Sequence, residues 1–138
     1  MRPLFILQFF FYLGCGGIDV GLGGGNTPFP NDPRPSGTIV TQGLFAGQNS
    51  QTASGSALIF SSGTTYTLRL EGVSFPVETG LIIKVYTSTG TQLSQLALRA
   101  STGNHNYVLP DATASQTFAS VYIVSSPNLV NYAYAPLY

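Results

Sequence analysis

Few residues in this chain are equipped for chemistry. Its 138 residues include one histidine, His105, and one cysteine, Cys15. The acids are Asp19, Asp32, Glu71, Glu78 and Asp111, and the bases are Arg2, Arg34, Arg69, Lys84 and Arg99. A zinc site needs three or four nitrogen, sulfur or carboxylate ligands, and no His, Cys or Asp cluster supplies them. Glu78, Asp111 and backbone carbonyls are hard oxygen donors, but their spacing is not that of a calcium loop. His105, Asp111 and a serine can be drawn as a triad, yet any chain with one histidine permits that drawing. The glycine run Gly23 to Gly25 lacks the lysine and hydroxyl residue that complete a phosphate loop. No catalytic residue, metal or cofactor is therefore expected. What remains is binding chemistry. Asn104, His105 and Asn106 read as a polar loop tip with a solvated histidine. Tyr122, Tyr132 and Tyr134, with Tyr138, offer rings that can stack on a ligand or simply fill a sheet.

The elements that would position these residues follow from composition. Charged residues are 7% of the chain, with zero formal net charge, against about 25% in an average soluble domain. Five scattered bases make no basic patch, so a nucleic-acid partner is not expected. Hydrophobic residues make up 43%, too many for disorder by composition. The surface must then be built from Ser, Thr, Asn, Gln and Tyr. Such a surface suits an exported protein and neutral partners.

The N-terminus reads as a delivery device. Met1-Arg2-Pro3 is a short positive start, and Leu4 to Leu13 is apolar except for Gln8. That run is shorter than the roughly 20 residues needed to span a bilayer, and it fits the core of a secretory signal. It ends in Tyr12-Leu13-Gly14-Cys15, which resembles the lipobox of a bacterial lipoprotein, with Tyr12 departing from the usual aliphatic residue. The resemblance implies a signal peptide over 1–14 and a mature chain starting at an acylated Cys15. Two palmitate-type acyl chains carried on its thiol would hold the protein to a bilayer, since two chains anchor where one does not. Acylation would also remove an unpaired thiol from an oxidising compartment. Residues 15–37, rich in Gly and Pro, read as a tether. The implied location is the bacterial cell envelope, at the outer membrane or a periplasm-facing membrane.

Residues 38–138 read as one domain. Apolar residues alternate with polar ones in short runs, the mark of half-buried strands. Tyr66, Leu68 and Leu70 alternate with Thr67, Arg69 and Glu71. Leu81, Ile83 and Val85 share a face, with Ile82, Lys84 and Tyr86 on the other. Gly103-Asn104 is expected to turn the chain before a strand over Tyr107 and Leu109. Val130, Tyr132 and Tyr134 are expected on one face of the last strand. The fold class is all-β, a small antiparallel sandwich or flattened barrel of about eight strands.

Particular residues also carry a family likeness. Gly43-x-Phe45, Ser54-Gly55-x-Ala57-x-Ile59, Leu68-x-Leu70, Gly103-Asn104-His105-Asn106-Tyr107-x-Leu109-Pro110, Ser120-Val121-Tyr122-Ile123 and Tyr132-x-Tyr134-Ala135-Pro136-Leu137 follow in order. Over Thr41 to Leu137 the chain resembles the DM-thirteen domain, a small all-β domain often found beside DOMON domains. The resemblance implies a link to electron transfer. The family's cysteine after the strand matching Ser120 to Val124 is Ser125 here, and a serine has no redox couple. The family's histidine after Gly-x-Phe is replaced by Gln48-Asn49-Ser50-Gln51, and its proline-aspartate pair by Glu78-Thr79-Gly80.

The function read from the sequence is an envelope-anchored, non-catalytic binding or interaction domain. Its partners would be the bilayer, through the anchor, and an envelope protein or neutral glycan. The alternatives are an electron-transfer accessory of the DM-thirteen type and a structural envelope lipoprotein.

Overall fold

The computed structural model describes residues 31–138. Cys15, the signal segment 1–14 and tether residues 15–30 lie outside the described residues. Nine strands follow in order: β1 (Thr38–Leu44), β2 (Ala46–Gly47), β3 (Ser54–Ser62), β4 (Thr65–Ser74), β5 (Leu81–Thr87), β6 (Gln92–Ala97), β7 (Thr102–Val108), β8 (Phe118–Ser125) and β9 (Val130–Pro136). They form two antiparallel sheets, ordered β1-β3-β4-β7 and β2-β9-β8-β5-β6. The all-β sandwich expected from the alternation is the fold of the described residues.

The core lies between the sheets, and period-two patterning builds it. β5 alternates without a fault: Leu81, Ile83, Val85 and Thr87 are buried, while Ile82, Lys84 and Tyr86 face outward and are half-buried. Ile59, Leu68 and Leu70 from the first sheet meet Ile83, Val121 and Ile123 from the second. Each is 0% exposed, and burying such a side chain is worth about 1.5–3 kcal/mol. The β3–β4 hairpin turns at Gly63, whose φ of 62° suits the first central position of a tight hairpin turn.

The chain crosses between sheets at Phe45, which sits between β1 and β2 and packs edge-on against Phe75 with centroids 5.0 Å apart. Gly43 precedes this crossing. A Cβ there would collide with the Pro136 carbonyl oxygen, so only glycine lets β1 lie against the C-terminal strand. The Gly43-x-Phe45 pair is thus explained by packing: a close backbone approach, then an aromatic corner. Tyr138 closes the same side, its amide donating to the Gln42 carbonyl at 3.0 Å and its carbonyl accepting from the Gln42 amide at 3.3 Å.

β7 departs from the sequence reading. Gly103-Asn104 is no hairpin turn, because both residues lie within the strand. Gly103 has φ of 100° and Gly72, near it on β4, has φ of 58°. The β4–β7 register shifts between Leu70 and Val73. A glycine with positive φ serves a bulge as well as a turn, and here it makes the bulge.

Candidate functional site

Asn104, His105 and Asn106 are strand residues, and the chain itself consumes their polar groups. Residues Asn31 to Arg34, the end of the segment read as a tether, lie along the outer edge of β7. The Asp32 amide donates to the Asn104 carbonyl at 3.0 Å, and the Asn104 amide donates to Asn31 Oδ1 at 3.2 Å. The Asn106 amide donates to Asp32 Oδ2 at 2.8 Å, and its side-chain amide donates to the Pro33 carbonyl at 2.8 Å. Asn104 Oδ1 accepts the Gly72 amide at 2.7 Å and so pins the bulge. His105 is 2% exposed, with Nε2–H donating to the Thr102 carbonyl at 2.6 Å. It is a core residue and not the solvated loop histidine expected. Arg69, only 5% exposed, reaches the Asp32 and Pro33 carbonyls, Asn106 Oδ1 and Glu71. Arg99 pairs with the Asp32 carboxylate. The Asn106 amide, then the Arg99 guanidinium, hold the Asp32 carboxyl below its ordinary 3.8. This corner is saturated and structural.

The tyrosines divide into two groups. β9 shifts register against β8 between Ile123 and Val124, leaving Tyr132 without a cross-strand partner. The extra residue turns Tyr132 into the core, 8% exposed, while Tyr134 stays on the outer face. They do not share a face as the alternation suggested. The Tyr132 phenol donates to Glu78 Oε2, and the fully buried Ser125 hydroxyl donates to Glu78 Oε1 at 2.9 Å. The Glu78 carboxylate raises the Tyr132 phenol above its ordinary 10.0. Ser125 is therefore part of an internal network that fastens the β4–β5 connection to β8 and β9.

Tyr122 and Tyr134 remain outside and gain a third member, Tyr86. Tyr122 pairs directly with Tyr134 across β8–β9. Ring centroids are 5.5 Å apart for Tyr86–Tyr122 and 4.7 Å for Tyr122–Tyr134. The row thus crosses β5, β8 and β9. Burial first, then the neighbouring phenols of Tyr134 and Tyr86, push the Tyr122 phenol above 10.0, so the Tyr122 ring stays neutral at physiological pH. A groove of about 440 Å³ runs beside the row, lined by Lys84, Tyr86, Ser120, Tyr122, Leu129 and Asn131 among others. That volume is in the range of small-ligand sites, about 300–1,000 Å³. Its walls can stack, donate and accept hydrogen bonds, and offer one ammonium.

Tyr86, Lys84 and Asn131 are absent from the binding residues expected from sequence. The available signal was the outward half of the β5 alternation. Which outward residues meet across strands was not available locally.

Glu78, Asp111 and His105 do not converge. Glu78 faces Ser125 and Tyr132, His105 faces Thr102, and Asp111 lines a separate depression beside Thr117. Among the described residues, no three His, Cys, Asp or Glu side chains gather as a metal site would require. No family model matches the chain, and no curated protein or solved structure matches it either.

Proposed function

We propose that this protein is a non-catalytic binding module, displayed from the bacterial cell envelope by acyl chains on Cys15, with its binding face on the outside of the β2-β9-β8-β5-β6 sheet. The observation that carries the reading is the row Tyr86–Tyr122–Tyr134 with an open groove lined by its first two members. Aromatic rings presented on a rigid sheet contribute large contact areas at little entropic cost. The hydroxyl and amide groups of Ser120 and Asn131 beside them supply directional selection. The anchor is argued from Leu13-Gly14-Cys15 and the apolar run before it.

Two measurements test the two halves. Mass spectrometry of membrane-extracted protein should give an N-terminus at Cys15 carrying acyl chains. An intact Met1 overturns the anchor. The full chain in mild detergent, applied to a glycan array and to envelope extract, should retain a partner that Tyr122→Ala releases. Failure to retain any glycan or protein in both assays overturns the binding reading.

A further inference from the structure

Lys84 differs from the other described cations. Arg34 and Arg69 face Glu71, and Arg99 faces Asp32. Lys84 is the one cation among the described residues with no carboxylate within salt-bridge distance. It stands at the middle of β5, opposite Tyr122 on β8 and Gln95 on β6. The groove it lines contains no acidic residue. Half-buried on the face it shares with Tyr86 and Tyr122, and with no carboxylate partner among the described residues, Lys84 is an uncompensated positive charge on a partly desolvated surface. Such a charge favours an anionic partner group.

The rest of the lining narrows the kind of anion. Tyr86 and Tyr122 meet edge to face at 84°, so the pair offers one ring face, bounded by the edge of the other ring and suited to the C–H face of a pyranose. Ser120 and Asn131 are suited to its hydroxyls. Leu129 adds an exposed aliphatic side chain to the lining, 75% exposed and held at φ of 53°, a conformation bulky residues rarely adopt.

We propose that the groove takes an acidic polysaccharide, a chain of hexuronate units, with Lys84 binding a ring carboxylate and the Tyr86–Tyr122 pair packing against the sugar beside it. This rests on the binding reading above and adds the charge and class of the ligand, in place of the neutral glycan expected from overall composition. The local charge decides here because a ligand meets the groove and not the average surface.

The test is affinity electrophoresis of the full chain in detergent through gels holding polygalacturonate, alginate, dextran sulfate or neutral galactan. Retardation by the uronate polymers and not by galactan is expected. Lys84→Gln should weaken it about two- to five-fold, as an exposed charge pair implies, and Lys84→Arg should restore most of it. Tyr86→Ala and Tyr122→Ala should each weaken it about ten-fold or more, with far-ultraviolet circular dichroism reporting that the variants are folded. Retention should also fall as salt screens the ammonium. Dextran sulfate held as tightly as the uronates, with the tyrosine variants unaffected, would show charge attraction alone and overturn the proposal. Equal retardation by galactan, insensitive to Lys84→Gln, would overturn the anionic class and leave the binding module standing. No retardation by any polymer, with a protein captured from extract, would overturn the glycan class while sparing the module. Failure in all assays would remove both.

Discussion

Glu78 is the residue on which the internal polar chemistry turns. Its two carboxylate oxygens accept from different strands, Ser125 on β8 and Tyr132 on β9. Glu78→Ala would leave the Ser125 hydroxyl, 0% exposed, without its acceptor. An unsatisfied buried hydroxyl costs about 1–3 kcal/mol, so the urea midpoint should fall accordingly. The pH dependence has a defined sign. The folded Tyr132 phenol titrates above its ordinary 10.0 because Glu78 holds its proton. Its contribution is fully present below pH 10 and is lost as pH rises through the folded value. Unfolding followed between pH 9 and 12 should show stability falling in the native protein, and falling less in Glu78→Gln.

Among elements, the strap Asn31 to Arg34 has the clearest physical purpose. β7 is the last strand of its sheet. An open strand edge exposes a row of unpaired amides and carbonyls that invites pairing with another chain. The strap answers the Asn104 amide and carbonyl and the Asn106 amide. Asp32 is its fastening, as both hydrogen-bond acceptor and partner of Arg99. With a folded carboxyl below 3.8, this contribution is present above about pH 3.8 and is lost as pH falls through the folded value. Asp32→Ala should release the strap at neutral pH. Hydrogen exchange at the Asn104 amide, whose acceptor is Asn31 Oδ1, should then speed up about ten-fold while the Ile83 and Ile123 amides stay protected. Unchanged exchange at Asn104 would mean that the remaining bonds of the strap hold it without the Asp32 carboxylate.

For the whole molecule, the two sheets are joined along one side by the meeting of β1 with the C-terminus. Gln42 and Tyr138 exchange both backbone hydrogen bonds, and the Leu137 amide donates to the Ala119 carbonyl at 2.8 Å. The last two residues therefore bind to both sheets, covering the open side of β1. Removing Leu137 and Tyr138 should lower the thermal midpoint by several degrees, since about 1 kcal/mol shifts a domain of this size by roughly 4–8 °C. It should also expose the Gln42 amide to exchange. A midpoint within 1 °C of the native one, to about the precision of the measurement, would mean that this closure contributes nothing.

What the sequence determined alone is whatever depends on near neighbours along the chain. Alternation in β5 decides which side of Leu81–Thr87 is wet, and the turn chemistry of Gly63 bends one hairpin, because strand faces and tight turns are set within a few residues. Gly103-Asn104 shows where locality fails. A turn and a bulge both call for a glycine with positive φ, and only pairing with β4 selects the bulge. The same holds for Tyr132, sent inward by one unpaired residue in β9, and for His105, buried by the strand around it. Asn31 to Arg34 carry the composition of a linker, yet the edge of β7, some seventy residues away, gives them a place. Tertiary structure alone aligned Tyr86, Tyr122 and Tyr134 and left Lys84 without a carboxylate partner among the described residues. Cross-strand register and charge pairing are properties of distant segments brought together, and no short stretch of this chain contains them.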